Sequence, residues 1–505
     1  MKKKENRARI YGKMMLLEGG MLLVPILCLL FYPKESKYFP FFVLPGFGSI
    51  LLGSMVLKRK SGAERVKKEK GFDRKAGSSI VLFAWVYGFL IAAVPFAALK
   101  GYTPTQIIFE TVSGFTTTGL STLDVTSMPH IFLFYRSFLQ FMGGLGFVLM
   151  MLVFIQGKDS MELYWAEGHT DKLMPSIGRT AQVIFGIYSI FFVLGVGMYL
   201  LCKMPLFDSI LNTMCALSTG GFSNKLNSIA EYHSMPIESV TVFLMLIGTT
   251  NFSVLLLLLK GKWRKLLKVS EIRFLAVVVA LSVPLMAFLL VTQNQYEVKE
   301  AVRLSFFNIF SAASTTGFAT SSYQNWAPGA VGIMIVLMLI GGGAGSTAGG
   351  MKLSRVYVVL RCLWVNVEKK FSPERQIKNS YYVKASEEKS IISTEVAGEA
   401  FTYIGTYLLL YLIGTLALTT TADCSLSEAM FEFASSLGTV GLSIGITSAE
   451  ANGGTLWILI GGMVLGRLEI FTVFLGLAQW FGRNTIQEKR CYWRKEEKKK
   501  KIQGI

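Results

Sequence analysis

Histidine, paired cysteine and charge are all scarce in this chain, and each scarcity closes off a class of function. The three histidines, His130, His169 and His233, have no ligand spacing and read as loop residues rather than as a metal site or proton relay. Six cysteines (Cys28, Cys202, Cys215, Cys362, Cys424 and Cys491) include no Cys-x-x-Cys pair. Most fall in apolar sequence, where a thiol behaves as a small hydrophobe, so neither disulfides nor a metal centre is expected. No Gly-x-x-x-x-Gly-Lys-Ser/Thr run and no nucleophile–base constellation is present, so an enzyme and a bound cofactor are both unexpected. Only 16% of residues are charged.

Apolar residues make up 52% of the 505, and the mean hydropathy is +0.48. Uncharged stretches such as Phe185 to Leu201, Val240 to Leu259 and Phe274 to Val291 approach the roughly 20 residues that a membrane-crossing helix needs. This composition implies a polytopic membrane protein. The basic start, Lys2-Lys3-Lys4, precedes an apolar stretch but no small-residue cleavage signal, so a retained helix is expected.

The net charge of +19 is unevenly spread. Of 51 Lys and Arg, 42 fall in loops on one side of the topology set out below, a bias that marks those loops as cytoplasmic. Such a face attracts anionic lipid headgroups, and nucleic acid is not needed to explain it. The tail from Arg490 to Lys501 mixes both signs and reads as a solvated segment.

Internal repetition organises the rest. Four small polar steps interrupt the apolar sequence: Thr117-Thr118-Gly119-Leu120, Thr219-Gly220-Gly221-Phe222, Thr315-Thr316-Gly317-Phe318 and Thr439-Val440-Gly441-Leu442. Their glycines are spaced 102, 96 and 124 residues apart. Ten residues before each glycine stand Phe109, Leu211, Phe307 and Phe431, and nine before stand Glu110, Asn212, Asn308 and Glu432. Six before stand Ser113, Cys215, Ser311 and Ser435. A shared helix face therefore precedes each step. Each unit reads as an apolar helix, a short re-entrant helix, the polar step and a second apolar helix. Thr103 with Gln106 and Ser425 with Glu428 predict capping boxes at two of the short helices.

The expected fold is an all-α polytopic protein with four pseudo-symmetric helix–pore-helix–filter–helix repeats around one central pore. Two extra spans, near Met14 to Tyr32 and Phe41 to Leu57, bring the total to ten crossings. The units are 1–75 (two helices and a basic linker), 76–160 (repeat one), 161–268 (repeat two), 269–366 (repeat three) and 367–505 (repeat four with a basic tail). Long cytoplasmic loops precede repeats two and four, at Lys158 to Arg179 and Val365 to Ser393.

A dehydrated cation needs oxygen ligands, and backbone carbonyls supply them without a titrating charge. Glycine lets successive carbonyls turn toward an axis, threonine adds a hydroxyl, and each short helix points its negative end at the same place. Tight helix packing is the alternative use of a single Thr/Gly step; four copies with matching flanks favour a pore.

The chain is similar to the Trk/Ktr/HKT superfamily of K⁺ transporters. The run Ser113-Gly114-Phe115-Thr116-Thr117-Thr118-Gly119 resembles its first filter. Ser218-Thr219-Gly220-Gly221-Phe222-Ser223, the stretch Gly341-Gly342-Gly343-Ala344-Gly345-Ser346-Thr347-Ala348-Gly349-Gly350 and Gly466-Arg467-Leu468-Glu469 resemble its later motifs. The two extra spans resemble the TrkH-type branch. The resemblance implies K⁺ as the transported ion, because all four filter positions are glycine; serine in the first repeat goes with Na⁺ preference. It implies a flexible intramembrane gating loop built by Gly341, Gly342, Gly343, Gly345, Ser346, Thr347, Gly349 and Gly350. It also implies a homodimer in a bacterial cytoplasmic membrane, docked on a TrkA-type ring of cytosolic nucleotide-binding regulatory subunits.

Several alternatives stay open at this stage. The Gly341 to Gly350 stretch fits a helix kink as well as a gate. Arg467, a charge inside an apolar helix, either pairs with Glu469 or another acid, or, as the resemblance implies, faces the pore and helps hold the gate closed. Glu110 and Glu432 either add negative potential near the filter or brace backbone amides, and Glu18 in the first span has no assigned role. K⁺/H⁺ or K⁺/Na⁺ symport and a non-conducting receptor or scaffold are the competing functions.

Overall fold

The computed structural model of the chain describes residues 2–58, 74–145, 177–373, 380–385 and 389–481. The basic linker, most of the loop before repeat two, the boundary drawn between residues 160 and 161, Cys491 and the charged tail lie outside these residues.

Helices make up most of the described residues. The chain starts with α1 (Lys2–Leu23), continued by a 3-10 segment at Val24–Leu30, and α2 (Phe39–Lys58), which pack along each other. They touch at glycines: a methyl group at Gly19 or at Gly53 would lie 2.6 Å from the facing carbonyl oxygen of Gly46 or Gly12. Small residues allow such close approach of helix backbones in a membrane.

Repeat one contributes α3 (Arg74–Phe96), the short α4 (Pro104–Phe115) and α5 (His130–Leu145). Repeat two has α6 (Ile177–Leu201), the short α7 (Leu206–Leu217), α8 (Met235–Thr249), α9 (Phe252–Leu259) and a single turn, α10 (Trp263–Leu266). Repeat three has α11 (Ser270–Thr292), the short α12 (Val298–Ala313), α13 (Pro328–Ile340) and α14 (Leu353–Lys370). Two strands, β1 (Tyr381–Val383) and β2 (Lys389–Ile391), pair antiparallel before repeat four. That repeat has α15 (Thr394–Thr421), the short α16 (Leu426–Leu437), α17 (Gly453–Arg467) and α18 (Ile470–Trp480).

A cyclic packing rule holds these units together. The second long helix of each repeat packs against the short helix of the next: α5 on α7, α8 on α12, α13 on α16, and α17 on α4. The outer helix α18 runs along α3, and Trp480 Nε1 donates to Ser79 Oγ at 3.0 Å, so the last repeat returns to the first. The short helices are polar on one face and nearly engulfed. Both capping boxes form, at Thr103 with Gln106 and at Ser425 with Glu428.

Six described helices are long and apolar enough to cross a membrane, and two bent pairs bring the number to eight if each is one crossing. The other two of the ten expected crossings fall at α5, described for 16 residues, and α13, which stops after 13.

The stretch Val240 to Leu259 is not one continuous helix. It breaks between α8 and α9, which meet at 117°. Asn251 makes the break stable: its Oδ1 accepts the Ser253 N–H at 2.7 Å, capping α9, while its Nδ2 donates to the Ala344 carbonyl at 2.5 Å. Similarly α17 and α18 meet at 105°, with Glu469 at φ +60°. The boundary drawn between residues 366 and 367 falls inside α14, which runs to Lys370. The β1–β2 hairpin docks on the start of α11, where Tyr382 donates its hydroxyl to Glu271 at 3.0 Å and Val383 its N–H to Ser270 Oγ at 2.9 Å.

Candidate functional site

Each short helix ends in the same backbone manoeuvre. Thr117, Thr219, Thr315 and Thr439 have φ between +51° and +55°, and two residues later Gly119, Gly221, Gly317 and Gly441 have φ between +71° and +95°. Left-handed φ is a genuine outlier for a β-branched residue. Four outliers in one register mark an imposed conformation, not a local accident. In an extended strand, successive carbonyls point to opposite sides. A left-handed residue at every second position brings them onto one side. The residue between is tied back in all four copies: the N–H of Thr118, Gly220, Thr316 and Val440 donates to the carbonyl five residues earlier at 2.8–3.0 Å.

The four steps close a ring. A Cβ built on Gly119 would collide with the Gly220 carbonyl oxygen, and one on Gly221 with the Thr316 oxygen. One on Gly317 would strike the Val440 oxygen, and one on Gly441 the Thr118 oxygen. The order runs through repeats one, two, three and four and back to one. Glycine at these positions is therefore needed twice, for its φ and for the approach of the neighbouring carbonyl. Above the ring lies a cavity of about 280 Å³ lined by the four glycines, by serines including Ser121, Ser223 and Ser443, and by Arg136.

The polar helix face anchors this backbone. Ser113 Oγ accepts the Gly119 N–H at 3.1 Å, Ser435 Oγ accepts the Gly441 N–H at 3.0 Å, and Ser311 Oγ donates to the Phe318 carbonyl at 2.6 Å. Glu110 and Glu432, both fully buried, are braces. Glu432 accepts from Ser443 Oγ (2.8 Å), Ile444 N–H (3.0 Å) and Thr447 N–H (3.1 Å). Glu110 accepts from Ser121 Oγ and the Thr122 N–H and pairs with Arg136 Nε at 2.5 Å. Asn212 and Asn308 bond within their own repeats, to Tyr232 and Tyr323. Beyond the first polar step, exposed Asp124 is held below the usual carboxylate range, chiefly by the Thr126 hydroxyl.

Two side chains on α5 were invisible to repeat logic because they have no counterpart in the other units. Arg136 is 2% exposed, stacks over the Phe222 ring at 4.1 Å and donates to Ser121 Oγ at 2.8 Å. Gln140 reaches the second polar step directly, bonding Gly220 and Phe222.

The Gly341 to Gly350 run separates α13 from α14 and lies against the threonines of the polar steps. Thr347 Oγ1 is 3.1 Å from Thr219 Oγ1, and it donates to the carbonyls of Gly248 at 2.9 Å or Leu217 at 3.1 Å. The Gly349 N–H donates to Thr315 Oγ1 at 2.9 Å, and a Cβ at Gly349 would overlap Thr439 Oγ1. The loop thus contacts the first threonine of the polar step in three repeats. On its other side, Gly343 N–H donates to the Thr249 carbonyl (3.0 Å) and Phe252 N–H to that of Gly345 (3.2 Å).

Arg467 grips this loop. Its Nη1 donates to the Thr347 carbonyl at 3.1 Å, and its Nη2 to the carbonyls of Gly143 at 2.5 Å and Gly144 at 3.4 Å. Glu469, in its positive-φ conformation, forms a two-pronged pair with Arg355 at 2.8 and 3.1 Å. Lys352 Nζ, which sequence reading passed over, donates to the Ala348 carbonyl. Glu18 lies apart, buried beside Gly88 and lining a small gap with Phe115 and Tyr135.

The model of the TrkH family, described as cation transport proteins, matches residues 49–483. Similar proteins include the Trk system potassium uptake protein TrkH of Salmonella typhimurium, 28% identical over 500 residues, which span 94% of this chain and 98% of that protein. The Escherichia coli K12 protein of the same name is 28% identical over 498 residues, with the same coverage. The crystal structure of the potassium transporter TrkH from Vibrio parahaemolyticus superposes with a TM-score of 0.79 at 26% identity, covering 93% of this chain and 98% of that one.

Proposed function

The chain belongs to the TrkH family of cation transport proteins, integral to the cytoplasmic membrane, and from that premise we propose that it takes up K⁺ by channel-like permeation through the ring of four Thr-x-Gly steps. The single observation that carries this reading is the cyclic contact of Gly119, Gly221, Gly317 and Gly441 with the carbonyls of Gly220, Thr316, Val440 and Thr118. It supplies neutral oxygen ligands around one axis. Relatives named as potassium uptake proteins support K⁺ as the cargo.

The Gly341 to Gly350 loop is the gate in this reading, closed where Thr347 and Gly349 lie against the filter threonines and held there by Arg467. Several glycines make regular helix costly, at about 1 kcal/mol each relative to alanine, so the segment stays irregular and free to rearrange. The bonds closing Glu110 and Glu432 favour permeation over symport, because a proton relay needs an acid free to exchange protons along the path.

The proposal extends to a homodimer whose gate answers to a cytosolic nucleotide-binding regulatory subunit. The concentration of Lys and Arg on one side supports docking of such a partner.

Uptake of radiolabelled Rb⁺ into proteoliposomes, with K⁺ or Na⁺ as competitor, tests the function. Uptake blocked by K⁺ and not by Na⁺ is expected. Absence of uptake, with a regulatory subunit and its nucleotide supplied, would overturn it.

A further inference from the structure

Repeat two departs from the other repeats at two filter positions, and one side chain from repeat one serves both. Between the threonine and the glycine, repeats one, three and four carry Thr118, Thr316 and Val440, whereas repeat two has Gly220. Six residues before the glycine, Ser113, Ser311 and Ser435 bond the filter backbone through their hydroxyls, whereas repeat two has Cys215, a weak donor and acceptor.

Gln140 fills both gaps. It is fully buried on α5, and its carboxamide occupies the place where a side chain on Gly220 would begin. Its Nε2 donates to the Gly220 carbonyl at 2.6 Å, and its Oε1 accepts the Phe222 N–H at 3.0 Å. One donor and one acceptor on adjacent parts of the filter suit a carboxamide and no other uncharged side chain of this length.

We infer that Gln140 is a positioning residue of the filter, standing in from the neighbouring repeat for the side chain and hydroxyl that repeat two lacks. The inference rests on the filter reading above. Its second consequence concerns the ring itself. Among the described residues no hydrogen bond reaches the carbonyls of Thr118, Thr316 or Val440, while that of Gly220 is engaged. A donor on a carbonyl competes with a cation for its electron density, so the ring offers three strong ligands and one weaker one. Loss of the Gln140 amide frees the fourth oxygen and loosens its backbone together, which erodes size discrimination more than flux.

The test is Rb⁺ uptake with Na⁺ or K⁺ competition for wild type, Gln140→Ala, Gly220→Thr and the double variant. Gln140→Ala is expected to retain K⁺-blocked uptake, with Na⁺ competing about tenfold better, the effect of one lost buried hydrogen bond. Gly220→Thr alone is expected to lose uptake, because the new side chain overlaps the Gln140 amide. The double variant is expected to regain both uptake and discrimination, since Gly220 has an ordinary backbone angle and threonine occupies this place in repeats one and three. Wild-type competition in Gln140→Ala, or a double variant no better than Gly220→Thr, would overturn the inference. Absence of K⁺-blocked uptake in the wild type would instead overturn the filter reading, and this inference with it.

Discussion

Replacing Arg467 opens the proposed gate, and the contacts around it set the size of the effect. The guanidinium bridges the Thr347 carbonyl in the loop (3.1 Å) and the Gly143 carbonyl in repeat one (2.5 Å), with Gly144 more distant at 3.4 Å. A hydrogen bond to a charged group contributes about 1.5–3 kcal/mol net. The side chain, only partly exposed, gains at the low end of that range, and only the bond to Thr347 is lost when the loop moves. Arg467→Gln therefore shifts the balance between closed and open by about 1.5–2 kcal/mol, which is about 10- to 30-fold in the open population. Arg467→Lys falls between, because a single ammonium cannot span both carbonyls as the guanidinium fork does. Initial rates of Rb⁺ uptake into proteoliposomes, measured without a regulatory partner, read this directly, with monodisperse elution confirming folded protein. Uptake by Arg467→Gln at or below the wild-type rate would refute a holding role for Arg467.

Two further perturbations address the proposed filter and its frame. Gly119→Ser places a Cβ against the Gly220 carbonyl at φ +95°, a conformation costing a non-glycine residue about 1–2 kcal/mol. Na⁺ is expected to compete for Rb⁺ uptake in this variant and not in the wild type. Arg136→Met breaks a pair whose partners are 2% and 0% exposed, and the stranded Glu110 costs about 3–5 kcal/mol of stability. The double change Arg136→Met with Glu110→Gln is expected to recover most of that loss, read as the midpoint of thermal unfolding in detergent.

The helical architecture and the ring of polar steps were legible because both are properties of short sequence windows. A left-handed turn next to a carbonyl of another repeat demands glycine, so Gly119, Gly221, Gly317 and Gly441 recur at fixed offsets from their helix face. The interruption after Ile340 was legible for the same reason, as several glycines cannot hold a helix. What escaped notice depends on residues far apart in the chain. Gln140 on the second polar step spans 80 residues, Arg355 with Glu469 spans 114, and Arg467 with Gly143 spans 324. No spacing rule links such partners. The bend at Asn251 was hidden by its apolar flanks, since hydropathy registers length and not direction.

Anomalous diffraction from Rb⁺-equilibrated crystals tests the assigned pore most directly. A peak on the axis encircled by the Thr118, Gly220, Thr316 and Val440 carbonyls is expected, lost when excess K⁺ replaces Rb⁺. Rb⁺ bound elsewhere in the protein, with none inside this ring, would contradict the assignment.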